Sequence, residues 1–367
     1  MAQLTPQYSL KFVMFINKPA ITRRTTMSAF IEQLPKVELH LHIEGSLEPE
    51  LVFALARRNG ITLDYANEAA LKAAYEFDDL QSFLNIYYAG MSVLQTEQDF
   101  FDMTHAYLQR AHSEHVRHTE IFFDPQAHTG RGVPFSVVVT GIHRALEQAR
   151  YDWGMSSRLI MSFLRDLPEA SAIDTLRQAE PFHGWLTGVG LDSAETGNPP
   201  DKFRRVYAMA RDQGYRLVAH AGEEGPPQYI RDALELLRVE RIDHGVAAIK
   251  DPALMAELAE SRIPLTVCPL SNLKLKVVNT MAEHPMGELL QAGLCVTVNS
   301  DDPAYFGGYM NANYQALQQG LGMSDSELLQ LALNSVEASW LSPEEKALLN
   351  REVHEHGEKF GVYAPLG

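Results

Sequence analysis

Eight times along the chain a short apolar run rich in β-branched residues ends in polar residues and gives way to a longer stretch of helical periodicity. The runs are VELHLHIE (37–44), HTEIFFDP (118–125), SRLIMSFLR (157–165), LTGVGLDSAE (186–195), RLVAHAGE (216–223), RIDHG (241–245), PLTVCPLSN (264–272) and CVTVNSDDP (295–303). Strands separated by helices are joined by crossovers and therefore run parallel. Eight of them match the number that closes a (β/α)8 barrel, the TIM barrel, in preference to an open sheet. In SLEPELVFALARRNG, Ser46 is expected to cap the first helical turn, Glu48 and Glu50 to favour its positive end, and Gly60 to close it. Residues 46–115 are too many for one crossover and are expected to add helices forming a lid, and 309–360 to form helices outside the barrel. The chain shows no internal repeat at the spacing of a solenoid.

The 367 residues are 46% hydrophobic and 21% charged, enough to bury a large core. An excess of 47 acidic over 31 basic residues gives a formal charge of -16, which opposes binding to phosphate backbones and anionic membranes. Nucleic acid and membrane are thus not expected partners. Cys268 and Cys295 are too few for a disulfide scaffold and lie in apolar stretches, so buried thiols in a reducing cytoplasm are expected. No apolar run approaches the roughly 20 residues that span a bilayer. Residues 1–26 carry Lys11, Lys18, Arg23 and Arg24 and no acid. They are read as a disordered tail or a start assigned too far upstream, rather than a transit peptide, leaving 27–367 as a single barrel domain.

The polar residues collect at the C-terminal ends of the strands, where a barrel keeps its chemistry. His40 and His42 end the first run, His220 and Glu223 the fifth, His244 the sixth, and Asp301 and Asp302 the eighth. Residues two apart on a strand share a face, so His40 and His42 point the same way, and inward is the polar side. A lone His-x-His is most often structural. Joined to His220 and Asp301, it makes a nitrogen and oxygen donor set suited to zinc or a similar divalent ion. An isolated loop glutamate is usually solvated, but Glu223 lies three residues past a candidate ligand in the glycine-bearing HAGEEG, where a carboxylic acid can shuttle protons. Glu224 beside it is expected to be exposed. Asp301 and Asp302 should face opposite sides of a regular strand, one toward a metal and one toward a substrate. His244 is open to three roles: ligand, base, or core histidine partnered by Asp243. Phe77, Phe83, Tyr87 and Tyr88 are candidates for an aromatic cover, with ordinary helix packing as the plainer alternative.

The segments LPKVELHLHIEGSLEP (34–49), VGLDSAE (189–195), VAHAGE (218–223), RIDHG (241–245), CPLSN (268–272) and VNSDDP (298–303) resemble the adenosine/adenine deaminase family of the amidohydrolase superfamily, in the family's order, from about residue 34 to 338. The resemblance implies one zinc ion per subunit on His40, His42, His220 and Asp301. It implies that Glu223 protonates a ring nitrogen, that His244 orients or deprotonates the attacking water, and that Asp302 contacts the five-membered ring of a purine. The superfamily often bridges two metals with a modified lysine on the fourth strand. LTGVGLDSAE has no lysine, in keeping with a mononuclear site.

Within that resemblance, Glu44 stands where nucleoside enzymes carry an aspartate that contacts ribose, and the longer side chain is expected to enter the ribose space. FFDPQAHT (122–129) also resembles the subgroup acting on the free base, and Glu195, standing where nucleoside enzymes tend to have a glycine near the purine N3 edge, is expected to contact substrate, through its backbone more than its side chain. The expected reaction is adenine to hypoxanthine and ammonia, as in purine salvage. Adenosine and N6-substituted adenines are the alternative substrates.

Overall fold

The computed structural model describes residues 27–365; the basic segment 1–26 lies outside them. All eight expected strands form: β1 (Lys36–His42), β2 (Val116–Phe123), β3 (Ser156–Leu164), β4 (Gly188–Asp192), β5 (Arg216–Ala221), β6 (Arg241–His244), β7 (Leu265–Val267) and β8 (Val296–Val298). Each pairs in parallel with the next, in sequence order. β8 returns to β1 through two backbone bonds: His42 N–H donates to the Asp301 carbonyl at 3.0 Å, and Asp301 N–H to the His40 carbonyl at 3.1 Å. The architecture is a (β/α)8 barrel. Its strands are buried on both faces, which is why they read as nearly continuous apolar runs.

Apart from β2 and β3, the strands are shorter than the runs that announced them. β7 stops at Val267 because Pro269 starts a helix, Pro269–Lys274, that takes up the PLSN of the expected strand. The 46–115 insertion does hold extra helices, Pro49–Asn59, Glu68–Ala73, Leu80–Gly90 and Glu97–Ser113. Gly60 closes the first of them with φ 66°, a left-handed conformation suited to glycine. Ser46 does not cap it. Its hydroxyl donates to the Ile43 carbonyl at 2.7 Å within a short 3-10 turn, and the helix begins later, at Pro49.

The N-terminal end of the barrel is plugged by a buried polar network. Arg241 on β6 pairs with Glu120 on β2 at 2.5 Å, and its guanidinium lies 4.5 Å from the centre of the Trp340 ring. Trp340 N–H also donates to Glu120, and the ring packs with Phe122, Ile160 and Val218. The tail is helical, as expected. Helix Asp325–Ala338 is tied to β8 by Asn334, and helix Pro343–Phe360 to the Phe30 carbonyl by His356. Among the described residues no helix is long and apolar enough to cross a membrane, and both cysteines are buried and unpaired.

Candidate active site

At the C-terminal end of the barrel, ring nitrogens of His40, His42 and His220 and a carboxylate oxygen of Asp301 all lie within 4.8 Å of one another, and all four residues are buried. His42 and His220 bring their Nε2 atoms to 3.1 Å, and Asp301 Oδ1 sits 3.3 Å from His40 Nε2 and 3.5 Å from His42 Nε2. Among the described residues His40 Nε2 has no hydrogen-bond partner although it is fully buried. Leaving such groups unmatched is costly, and three imidazoles with one carboxylate form a donor set that a divalent cation satisfies. The residues therefore fit a metal ion. The far sides of the rings are braced. His40 Nδ1 meets Thr266 Oγ1 at 3.0 Å, and that hydroxyl donates to Asp243, whose other oxygen is 3.5 Å from His220 Nδ1. Such partners fix ring orientation and tautomer. Asp243 thus braces the His40 and His220 rings.

Glu223 and His244 stand beside this cluster. His244 Nε2 is 3.5 Å from Glu223 Oε2 and 3.7 Å from Asp301 Oδ2. Burial, reinforced by the Asp301 and Glu195 charges, pushes the Glu223 carboxyl well above its usual range. Burial opposes ionisation of Asp301 too, but the His40 and His244 imidazoles hold its pKa well below normal. His244 and Asp301 are both left-handed, with φ 62° and 63°, and so is Ser193 at 72°. Such backbone is costly for residues with a Cβ and gathers at functional sites. At Asp301 it has a direct consequence. The strand is no longer regular there, so Asp301 and Asp302 both line the same cleft instead of facing opposite sides. Gly45 permits this, since a Cβ at that position would come 1.9 Å from Asp302 Oδ1.

The cleft spans about 370 Å³, the open solvent at its mouth included. His42, His220, Glu223, His244, Asp301 and Asp302 line it from the barrel, and Leu80, Phe83, Leu84, Tyr87 and Tyr88 close over it from helix Leu80–Gly90. Phe77 lies behind this cover, edge-on to Phe83 with ring centres 5.4 Å apart. The lid is also tied to the barrel: Glu224, exposed as expected, accepts the Leu80 N–H at 3.2 Å, and Tyr88 donates to Ser193 at 2.9 Å.

Two residues expected to touch substrate do not line the cleft. Glu195 spends its carboxylate on four consecutive amides, those of Gly222, Glu223, Glu224 and Gly225, at 2.7–3.1 Å. Glu44 accepts the Asp124 N–H at 3.1 Å and meets His128 Nε2 at 2.8 Å. In its place the cleft receives Asp124, just past β2, and Asp192 at the end of β4. Burial, reinforced by the Glu44 charge, pushes the Asp124 carboxyl well above normal, and burial with the Asp124 charge does the same to Asp192. Neither was singled out from the sequence. Both close the runs HTEIFFDP and LTGVGLDSAE, so the strand-end rule that selected His220 and Asp301 would have found them.

Known proteins are similar to this chain over most of its length. A family model for adenosine deaminase matches residues 35–356. The adenine deaminase of Hahella chejuensis is 60% identical over 323 residues, covering 88% of this chain and 97% of that one. The crystal structure of adenine deaminase from Arthrobacter aurescens superposes with a TM-score of 0.88 at 54% identity, covering 89% of this chain and 99% of the other. A zinc-bound amidohydrolase from Burkholderia ambifaria does so with a TM-score of 0.83 at 28% identity, covering 93% and 97%. With residues 35–356, nearly the whole described chain, matched by the family model, the protein belongs to the adenosine deaminase family.

Proposed function

We propose that the protein is an adenine deaminase: it converts adenine and water to hypoxanthine and ammonia at a single zinc ion held by His40, His42, His220 and Asp301. The observation that carries the reading is the convergence of that buried donor set with Glu223 and His244 on one small, lidded cleft. Adenine deaminases at 60% identity over most of the chain support the substrate, and the zinc-bound amidohydrolase supports the metal.

C6 of adenine is a weak electrophile and water a weak nucleophile, so both need activation. Zinc, when bound, lowers the pKa of water to about 7. Glu223, kept protonated by burial, donates to N1 and draws electron density from C6. His244 accepts the proton of the attacking water, and a tetrahedral carbon forms at C6. Protons passed to the amino group through Glu223 and His244 let ammonia leave, and the ring is left as hypoxanthine. Asp302 holds the N7 edge so that C6 faces the reacting water, and the aromatic lid keeps bulk solvent out. The two buried free thiols fit a reducing compartment, and we place the enzyme in the cytoplasm.

The test is a spectrophotometric comparison of the purified protein on adenine, adenosine and N6-methyladenine. Adenine should give the highest kcat/KM; a preference for adenosine or for the N6-substituted base would overturn the substrate assignment.

A further inference from the structure

We infer that Asp124 reads the imidazole N–H that a free purine base carries and a nucleoside lacks. The inference rests on the adenine orientation proposed above and adds a specificity-determining residue to it.

The order of the strands around the barrel supplies the argument. With C6 at the metal-binding cluster, N1 faces Glu223 after β5 and N7 faces Asp302 after β8. Around the edge of a purine the nitrogens run N1, N3, N9, N7. Around the barrel from β5 to β8 by way of β1, the polar groups lining the cleft run Glu223, then Asp192 with Ser193 after β4, then Asp124 after β2, then Asp302. The two circuits match. N3 falls to the β4 end and N9 to the β2 end, across the barrel from His244 on β6.

Asp124 is built to receive a donor there. It is 2% exposed, lines the cleft, and its Oδ1 has no hydrogen-bond partner among the described residues. A buried acceptor left empty is unfavourable, so a ligand that supplies an N–H is preferred and one that cannot is penalised. Its backbone is fixed by Glu44, which accepts the Asp124 N–H and is itself held by His128. Glu44 therefore acts one step behind the contact and positions the carboxylate that makes it. A substituent at N9 would both remove the donor and run into the pair Asp124 and Asp192.

The experiment compares adenine with 9-methyladenine, which keeps the ring and loses only the N9 donor, on the wild-type protein and on Asp124→Ala and Asp124→Asn. The wild type should favour adenine. Loss of a hydrogen bond to this buried acceptor predicts that the adenine to 9-methyladenine ratio of kcat/KM falls by about 10-fold in Asp124→Ala. Asp124→Asn, which keeps a carbonyl acceptor and the side-chain shape, should fall between and serves if the alanine variant does not fold. An unchanged ratio, or equal losses on both substrates, would overturn the role of Asp124. Because His42, Asp124 and Asp192 also bring donor atoms within 4.8 Å of one another, metal content is measured in parallel. A second metal equivalent that disappears with Asp124 would likewise overturn it. If the wild type fails to turn over adenine at all, it is the adenine assignment that falls.

Discussion

The carboxylate of Glu195 accepts the backbone N–H of Glu223 at 3.1 Å, and three flanking amides converge on the same group. One buried side chain thus holds the whole turn that carries the proposed acid. Gly225 keeps the approach open, since a Cβ there would come 2.5 Å from Glu195 Oε1. Glu195→Gln turns an NH2 group toward amides that need an acceptor. We expect a stability loss of about 1–3 kcal/mol. Displacement of Glu223 should lower kcat by up to about 10²-fold, with metal content retained. Thermal unfolding and steady-state kinetics on one preparation check both.

Glu223→Gln keeps the shape of the acid and removes its proton. Fold and bound metal should be unchanged while kcat falls by about 10²–10⁴-fold, the usual contribution of general acid–base catalysis. Turnover near the wild-type rate would remove Glu223 from that role.

The metal assignment is tested at a ligand and behind one. His42→Ala should lose most of the zinc found by elemental analysis, together with activity. Thr266→Val breaks the link from His40 to Asp243 and should weaken zinc binding by about 10–100-fold without abolishing it. A full equivalent bound to His42→Ala would sink the donor set. Chelation of the wild type should lower its melting temperature, and added zinc should restore it.

The barrel plug gives a pH dependence. Burial opposes ionisation of Glu120, but the facing Arg241 and the hydrogen bond from His118 outweigh it and hold the pKa at about 2, against 4.5 for a free glutamate. A depressed carboxyl stabilises the fold above its unfolded pKa and loses that contribution as pH falls through the folded one. The pair therefore contributes about 3 kcal/mol at neutral pH, fading between about pH 4.5 and 2. Glu120→Gln leaves Arg241 buried and unpaired, and should destabilise at pH 7 by about 3–5 kcal/mol. The gap to wild type should narrow on acidification below pH 4.5, as followed by urea unfolding across pH; a gap independent of pH would refute the assignment.

The barrel was legible because eight buried parallel strands write themselves as apolar runs, and the donors because strand-end histidines stand out against them. The strand ends were less so. Pro269 starts a helix inside an expected strand, and Ser46 turns back to Ile43 before the helix it was expected to cap. Both are local contests between hydrogen-bonding options that neighbouring residues decide.

From residue order and type alone came the eight-strand count, the lidded insertion, and the gathering of His40, His42, His220, Glu223, His244, Asp301 and Asp302 at one end of the barrel. Tertiary structure alone decided which carboxylates face the cleft. Asp301 and Asp302 share it because a left-handed residue breaks the alternation of the strand. Glu195 and Glu44 are drawn away by backbone amides that need acceptors, and Asp124 and Asp192 line the cleft. A carboxylate's role depends on which donors lie within about 3 Å of its oxygens. Those donors come from segments tens of residues away, which only the closed barrel brings together.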